Sequence, residues 1–248
     1  MYDEVDENGV LIQKYGPHIF HTNSKEVFEF IGCFTEYRYF KHEVVGKIDG
    51  EIVPIPFNFA GIDTLLTLEA ATNIKKLLMG KYEVNQRVSI GELLNSQDGT
   101  IRSFGEYVYE KVFVHYTEKQ WGRDCKELPA FIIKRRPVRL TYDNNYFNDR
   151  FQGIPMGGYT AIVEKMLEGS DILLNTDYYE FRKENPDIAA KIVYTGMLDQ
   201  YFDYKYGVLE YRSVRFETEK LDMENYQGNA VVNYTCLLYT SPSPRDTR

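Results

Sequence analysis

The helical stretch in the middle of the chain limits the possible folds more than any other feature of the sequence. From Phe57 to Leu128 the apolar residues recur at spacings of three and four, the period of an α-helix with one buried face. Examples of this spacing are Leu68, Ala71, Ile74 and Leu78. Such helices become stable when their apolar faces pack against one another. The sequence therefore predicts a helical bundle over residues 57–134.

Two capping boxes predict where helices begin inside this bundle. Ser89 is followed three residues later by Glu92, and Ser103 is followed in the same way by Glu106. In a capping box the hydroxyl and the carboxylate each accept a hydrogen bond from a backbone N–H that the helix leaves unpaired. We therefore expect helices to begin near both serines.

β structure is predicted before the bundle. Residues 44–56 alternate apolar and polar side chains around Asp49-Gly50, which is typical of a hairpin with a tight turn. A short strand is expected over residues 9–14, and a helix is expected to begin after the N-cap residues Asn23 and Ser24.

Beyond the bundle the sequence predicts alternating helix and strand. Gly157-Gly158 opens a helix that ends at Gly169, and strands are expected over residues 172–174 and 191–196. Residues 202–234 are again β-like. We therefore assign the chain to the mixed α/β class, with a chain that passes repeatedly between layers.

Charge and composition disfavour several classes of partner. The 248 residues carry a formal net charge of -8, which provides no extended positive field for nucleic acid or anionic lipid. The three cysteines are odd in number and far apart, as in proteins of a reducing compartment. No apolar run reaches the ~20 residues that span a bilayer. We expect a cytoplasmic protein that binds a small molecule, with no nucleic-acid or membrane partner.

His18 and His21 stand three residues apart, a spacing that also occurs in metal sites. A structural zinc ion requires three or four ligands, whereas the other histidines and the cysteines are scattered along the chain. The sequence therefore predicts no metal site.

Seven groups of residues, in order along the chain, carry a resemblance to a known family. They are Lys14–Thr22, Tyr116–Gly122, Lys134–Arg139, Asp143–Phe147, Gln152–Pro155 with Gly157–Thr160, Glu210–Ser213 and Gln227–Asn233. Each is similar to a motif of the UDP-galactopyranose mutases, and the resemblance covers about residues 2–235. The order and spacing of the groups make a chance match unreasonable.

The resemblance implies a fold made of an FAD-binding α/β layer, an inserted helical bundle and an antiparallel sheet. The implied boundaries are 1–39 for a remnant of the FAD-binding domain, 40–56 for a hairpin of the sheet, 57–134 for the bundle, 135–157 for further sheet, 158–198 for the αββ portion of the FAD domain, 199–235 for the last part of the sheet and 236–248 for a disordered or non-native tail.

The resemblance also implies a reaction. Family members interconvert UDP-galactopyranose and UDP-galactofuranose, a nucleotide sugar used for cell-surface polysaccharide. The cofactor is FAD, and its reduced form is required because N5 of the reduced flavin attacks the anomeric carbon. The chain is thus expected to be a flavoprotein and an isomerase, and a homodimer is compatible with this assignment.

Individual residues take expected roles from the same resemblance. Catalytic roles fall to His21 and to Arg135, whose guanidinium would stabilise the charge of the departing pyrophosphate. The implied substrate contacts are His42, Tyr116, Thr117, Trp121, Tyr146 and Asn233, with Tyr116 stacking on uracil. The implied FAD contacts are His18, Ile19, Asp177 and Tyr178. Ordinary alternatives are a solvated arginine, a tryptophan that packs at a helix end and a solvated loop histidine.

The sequence also departs from the family pattern. No G-x-G-x-x-G turn for the FAD pyrophosphate occurs in it, and residues 236–248 resemble no part of the family. We therefore expect a chain that is truncated at both ends. Two other functions stay open: a nucleotide-sugar-binding fragment without flavin or turnover, and a flavin oxidoreductase of related fold.

Overall fold

Helices and strands are both present in the computed structural model, which describes residues 2–129, 131–132, 137–210, 213 and 215–234. This mixed content agrees with the predicted α/β class. The chain forms two compact units. The smaller unit comprises Met1–Pro17, Glu29–Glu36 and Pro155–Thr218, and the larger unit comprises His18–Phe28, Tyr37–Ile154 and Glu219–Arg248.

The larger unit contains a succession of helices where the sequence has helical periodicity. They are α2 (Phe59–Leu65), α3 (Leu68–Lys81), α4 (Ile90–Leu94), α5 (Gly99–Val108), a π-helix (Tyr109–Val114), α6 (His115–Trp121) and a 3-10 turn (Cys125–Glu127). Their apolar faces meet in one core, in which Ile62, Leu78 and Leu93 are fully buried. Full burial of one such side chain contributes about 1.5–3 kcal/mol, so this core is a major source of stability.

The two predicted helix starts have different outcomes. Ser89 does cap α4, because its hydroxyl accepts a hydrogen bond from the backbone N–H of Glu92 at 3.2 Å. The prediction at Ser103 is wrong, because α5 begins at Gly99 and is capped by Asp98, five residues before Ser103. The Asp98 carboxylate accepts from Thr100 N at 2.8 Å, and its negative charge also favours the helix N-terminus.

Gly105 allows α4 and α5 to cross closely. A Cβ at this position would lie 2.8 Å from Leu93 Cβ and 3.0 Å from the Leu93 backbone carbon, whereas a Cβ at Gly80 in α3 would meet nothing within 4 Å. Gly105→Ala is expected to lower the free energy of unfolding by about 1–2 kcal/mol, because the crossing helices must separate. Gly80→Ala is expected to raise it by about 0.5–1 kcal/mol through helix propensity. Denaturant unfolding measures both changes, and equal shifts would contradict this packing.

The predicted hairpin is confirmed in the larger unit. Strands β5 (Val44–Ile48) and β6 (Glu51–Ile55) pair antiparallel around Asp49 and Gly50, which both adopt positive φ angles of 51° and 93°. This conformation is the one that a tight hairpin turn requires. On the other side of β5 lies β10 (Val231–Tyr234), which runs parallel to β5 rather than antiparallel as expected for this part of the chain.

Shorter strands complete the larger unit. They are β3 (Phe20–Thr22), β4 (Tyr37–Tyr39), β7 (Arg87–Ser89), β8 (Pro137–Arg139) and β9 (Phe151–Pro155). In sheet order β9 lies between β3 and β4, while β7 pairs with β8. The helix predicted after Ser24 is present as α1 (Lys25–Gly32), and the Ser24 hydroxyl accepts from Val27 N at 3.2 Å.

In the smaller unit a hairpin of β1 (Asp3–Val5) and β2 (Leu11–Gln13) precedes three helices: α7 (Gly158–Met166), α8 (Tyr178–Glu184) and α9 (Leu198–Tyr201). The Asp3 carboxylate accepts hydrogen bonds from the backbone of Tyr159 and Thr160 at the start of α7. Burial would raise the pKa of Asp3, but the hydrogen bonds from Thr160 and Tyr159 outweigh it and lower the pKa.

Two strands predicted in the smaller unit are absent from it. Residues 172–174 and 191–196 are irregular, and their apolar side chains are exposed, with Leu174 at 78% and Val193 at 88%. A strand becomes stable only when a neighbouring strand pairs with it, and the described residues place no strand beside either segment. Of the predicted β-like residues 202–234, only 231–234 form a strand among those that the structure describes.

Candidate functional site

The loop between β8 and β9 meets strand β3 in a group of side chains that we call the His21 cluster: His21, His42, Tyr146, Phe147 and Asp149. The His21 ring stacks on Phe147 with centroids 3.7 Å apart and an interplanar angle of 16°. Phe147 also faces the His42 ring at 5.6 Å, and Tyr146 meets Phe147 edge-on at 5.0 Å. Each such ring pair stabilises the arrangement by about 0.5–1.5 kcal/mol.

Alternation along β3 directs His21 away from the aromatic side chains that support the strand. Successive side chains of a strand point to opposite faces, so Phe20 and His21 diverge. Phe20 stacks on Tyr37 at 4.8 Å, and Phe28 stacks on Phe151 of β9 at 4.5 Å. These rings fix the strand from one face and leave His21 on the other.

A carboxylate lies at the edge of the His21 ring. Asp149 Oδ2 is 2.5 Å from His21 Nδ1, and the other carboxylate oxygen accepts from the Asn23 side chain. The Asn23 side-chain oxygen in turn accepts from Arg150 N at 2.9 Å. His21 is therefore held at its face by Phe147 and at its edge by Asp149.

His42 is the buried member of the cluster, at 7% exposure. Burial lowers its pKa, and the nearby His21 lowers the pKa further by charge repulsion. Its Nδ1 atom is buried and has no hydrogen-bond partner among the described residues. The backbone at His42 also anchors the loop, since its carbonyl accepts from Tyr146 N at 2.7 Å.

The lowered pKa of His42 predicts a pH dependence of stability. The unfolded chain takes up a proton at His42 near the ordinary value of about 6.5, whereas the folded state resists it. Stability is therefore expected to fall as the pH drops from about 7.5 to about 5.5, and a His42→Leu variant should lose part of this dependence. Urea midpoints measured across this pH range test the prediction. If the midpoint of His42→Leu changed with pH as steeply as that of the wild type, the prediction would be contradicted.

Arg139, a buried residue at the end of β8, anchors the loop between β8 and β9. It is 4% exposed, and its guanidinium donates to the Asn145 carbonyl and to Asn148 Oδ1, the latter at 2.6 Å. Burial lowers the pKa of Arg139, and the neighbouring Arg87 lowers it further. A buried cation is stable only with such donors satisfied, so Arg139 fixes the residues on both sides of Tyr146 and Phe147.

Asn58 links the same loop to the helical core. Its side-chain oxygen accepts from Ala60 N and Gly61 N at the start of α2, at 2.9 and 3.2 Å. Its side-chain nitrogen donates to Asn144 Oδ1 at 2.8 Å and to the Asp143 carbonyl at 3.2 Å. Asn58 is completely buried, so one residue both caps a helix and positions the loop.

Three predicted site residues share helix α6. Gln120 donates to the Tyr116 hydroxyl at 2.7 Å, and Trp121 is 38% exposed at the end of the helix, before Gly122. Thr117 is fully buried, and its hydroxyl has no partner among the described residues. Contact between Thr117 and a ligand would thus require α6 to move. The π-helix before α6 is a feature that often accompanies functional sites.

The remaining predicted residues lie in several places. Asn233 is in β10, opposite Gly46 of β5, and His18 and Ile19 are half-buried in the segment before β3. Asp177 and Tyr178 belong to the smaller unit, where the Asp177 carboxylate caps α8 by accepting from Tyr179 N at 2.9 Å. Arg135 lies outside the described residues. Ring contacts thus bring together His21, His42 and Tyr146 around Phe147.

Several members of the site were not assigned a role from the sequence: Asn23, Asn58, Arg139, Phe147 and Asp149. Phe147 and Arg139 lie inside groups of residues that carry the family resemblance, and this position could have marked them as candidate site residues. Asp149 and His21 are 128 residues apart, and no spacing rule connects them.

One polar atom of the His21 cluster is left for a ligand such as a flavin. The Nδ1 atom of His42 is buried and has no hydrogen-bond partner among the described residues, and a polar group of a ligand would satisfy it. A glycine-rich turn for a pyrophosphate does not occur in the sequence. Among the described residues no group of three or more His, Cys, Asp or Glu side chains is placed to hold a metal ion.

No helix in the described part of the chain has the length and apolar character to cross a membrane. The surface also carries a depression of about 760 Å³ lined by Gly80, Lys81, Tyr82, Glu83, Gln86 and Glu92. None of these six is a predicted site residue.

Three similar known proteins are each named as a mutase of a nucleotide sugar, with two different sugars. A protein of Klebsiella pneumoniae named "Probable UDP-galactopyranose mutase" is 35% identical over 94% of this chain and 60% of its own length. The dTDP-fucopyranose mutase of Escherichia coli is 32% identical over 94% of this chain and 63% of its own length. The UDP-galactopyranose mutase of Mycoplasma pneumoniae is 28% identical over 94% of this chain and 61% of its own length. This chain thus spans about 60% of the length of the curated relatives it matches.

A crystal structure of reduced UDP-galactopyranose mutase is also similar, with a TM-score of 0.39, 17% identity and coverage of 68% of this chain and 38% of that one. The model of the UDP-galactopyranose mutase family, in contrast, matches residues 111–240, which is more than half of the chain. On this match, the chain belongs to the UDP-galactopyranose mutase family.

Proposed function

We propose that this chain is the substrate-binding and catalytic part of an isomerase that interconverts UDP-galactopyranose and UDP-galactofuranose. Membership of the family supports the reaction. The structural observation that carries the proposal is the stack of His21 on Phe147 beside the buried His42, with a carboxylate at the His21 edge. Flat rings with polar edges suit a sugar nucleotide, because they stack on apolar faces and hydrogen-bond to hydroxyl groups.

Each residue has a separate task in this proposal. Tyr116 and Trp121 provide the aromatic surface for uracil, and Arg135 binds the pyrophosphate, where negative charge grows as the sugar leaves. His21, His42 and Tyr146 contact the sugar. Asn233 and Thr117 provide further polar contacts, Thr117 after α6 has moved.

The proposed cofactor is FAD. When bound in its reduced form, it supplies an electron-rich nitrogen that acts as the nucleophile toward the anomeric carbon. In this chain His18 and Ile19 would hold the flavin, and Asp177 and Tyr178 would hold its adenosine end. The protein residues orient the sugar and shield it from water.

The cellular setting belongs to the same proposal. We place the protein in the cytoplasm, in the supply of nucleotide sugar for cell-surface polysaccharide, with a homodimer as the assembly that we propose. Of the domain boundaries expected from the sequence, we retain two as proposals: the FAD-binding remnant at 1–39 and the assignment of 158–198 to the same domain, without the two strands that were expected in it.

One specific observation favours an alternative. The 32% identity with a dTDP-fucopyranose mutase favours a related substrate with a different base and sugar. A flavin oxidoreductase of related fold would oxidise its substrate instead of isomerising it.

Binding of UDP can be measured through Trp121, the single tryptophan of the chain. We expect UDP to change its fluorescence in a saturable way, and dTDP to bind more weakly. Arg135→Ala should raise the Kd for UDP about tenfold or more, because a charged hydrogen bond to phosphate is lost. Arg87→Ala is the matched control, since Arg87 is exposed on β7 and should leave the Kd unchanged. The proposed site would be rejected if UDP did not change the Trp121 fluorescence, or if Arg135→Ala and Arg87→Ala had equal Kd values for UDP.

A further inference from the structure

His21 is restrained on three sides by the larger unit. Its backbone pairs with Gln152 across β3 and β9, its ring face lies on Phe147, and its Nδ1 lies 2.5 Å from Asp149 Oδ2. The imidazole has only two nitrogens, and Nδ1 is already taken by the carboxylate. The ring therefore has one nitrogen, Nε2, left for a ligand, and the side chain is 39% exposed.

Asp149 is itself fixed in place. One carboxylate oxygen lies 2.5 Å from His21 Nδ1, and the other accepts from the Asn23 side chain. The Asn23 side-chain oxygen accepts a hydrogen bond from Arg150 N at 2.9 Å, which links Asn23 to the same loop. Gln152 Nε2 donates a hydrogen bond to the Asp149 carbonyl at 2.8 Å. With a side chain only 23% exposed, Asp149 differs from a freely moving surface acid.

We infer that Asp149 is a positioning residue, which keeps the His21 proton on Nδ1 and presents Nε2 to the ligand. The physical reason is that an ionised carboxylate can accept a hydrogen bond but cannot donate one, so the nitrogen that faces it must carry hydrogen. The hydrogen bond at one ring nitrogen thereby sets the state of the other. Asp149 acts through His21 and makes no ligand contact of its own.

The consequence for the ligand rests on the proposed function. A neutral His21 held in this way offers a lone pair at Nε2, which accepts a hydrogen bond from a donor such as a sugar hydroxyl. The opposite tautomer would offer an N–H there and would favour an anionic oxygen. Asp149 thus selects a sugar hydroxyl over a phosphate oxygen as the partner of neutral His21.

An ion pair at the surface often has no functional effect, so the test must read the tautomer itself. The chain has only four histidines, and long-range proton–nitrogen NMR spectra can assign each ring. At alkaline pH, where the ring is neutral, we expect wild-type His21 to show a protonated Nδ1 and an unprotonated Nε2. In Asp149→Asn the ratio of this tautomer to the Nε2–H form should fall about tenfold or more, because the charge-assisted hydrogen bond is lost.

Asp143→Asn is the matched control. Asp143 lies in the same loop but pairs with Lys41 at 3.2 Å, and its substitution should leave the His21 nitrogen shifts unchanged. A proton on Nε2 of His21 in the wild-type chain overturns the inference without any variant, so the test does not depend on the folding of Asp149→Asn. An Asp149→Asn spectrum that matches wild type at His21 also overturns it.

The measurement needs no ligand and is therefore separate from the test of function. A wrong tautomer removes the role of Asp149 and leaves the proposed UDP site intact. The predicted tautomer together with a failure to bind UDP would count against the proposed function alone.

Discussion

Replacement of Arg139 by methionine is expected to lower the free energy of unfolding by about 3 kcal/mol. The guanidinium is 4% exposed and donates to Asn145 and Asn148, on either side of the two aromatic residues of the loop. Methionine fills similar space but cannot donate to the Asn145 carbonyl or to Asn148, and each hydrogen bond from a charged donor contributes about 1.5–3 kcal/mol. The relief of a buried positive charge offsets part of this loss.

Chemical denaturation of Arg139→Met measures the change, with Arg87→Met as its control. Arg87 lies directly opposite Arg139 in the β7–β8 pair but is exposed, so its replacement should change stability by less than about 0.5 kcal/mol. In Arg139→Met the near-ultraviolet circular dichroism of the aromatic residues should also weaken, because the loop is released. Similar stability of the two variants would show that Arg139 does not anchor the loop.

Replacement of Asn58 by alanine is expected to cost about 2–3 kcal/mol. The substitution removes the cap of α2, which contributes about 1 kcal/mol, and also the two hydrogen bonds to Asp143 and Asn144. Because Asn58 is fully buried, water cannot replace these bonds.

Asn58→Ser separates the two contributions. The serine hydroxyl can still accept from the backbone at the start of α2, but it is too short to donate to the loop, and it adds no buried charge. We expect Asn58→Ser to retain the cap of α2 and yet to leave the loop as mobile as in Asn58→Ala, as amide hydrogen exchange of residues 143–148 would report. Exchange in Asn58→Ser that equals wild type would contradict the link between helix and loop.

Features with a local cause could be predicted from the sequence. The hairpin at residues 44–56 follows from Asp49-Gly50, whose positive φ angles make the turn. The α4 start follows from Ser89, and the helical period of residues 57–128 gives the helices that form the core. At Ser103 two local signals competed, and the carboxylate of Asp98 was the stronger cap.

Features that depend on distant neighbours could not be predicted. The apolar segments at 172–174 and 191–196 have strand-like composition, but β structure requires a partner, and composition does not reveal whether one is present. The direction of β10 is likewise set by β5, about 190 residues earlier in the chain.

The candidate site likewise contains residues that could be identified from the sequence and residues that could not. The family resemblance identified His21, His42 and Tyr146, and the structure places these three in one cluster. The residues that hold them, Asn58, Arg139 and Asp149, act through burial and through long-range hydrogen bonds. Such roles follow from three-dimensional contacts and leave no periodic signal in the sequence.

The most direct test of the account is an assay of sugar-ring isomerisation by this 248-residue chain. UDP-galactofuranose is incubated with the protein and with FAD kept reduced by dithionite, and the nucleotide sugars are separated by liquid chromatography. The account predicts conversion to UDP-galactopyranose that requires reduced flavin and is lost in His21→Ala. Absence of conversion by a protein that binds both UDP and reduced FAD, or net oxidation of the sugar, would contradict it.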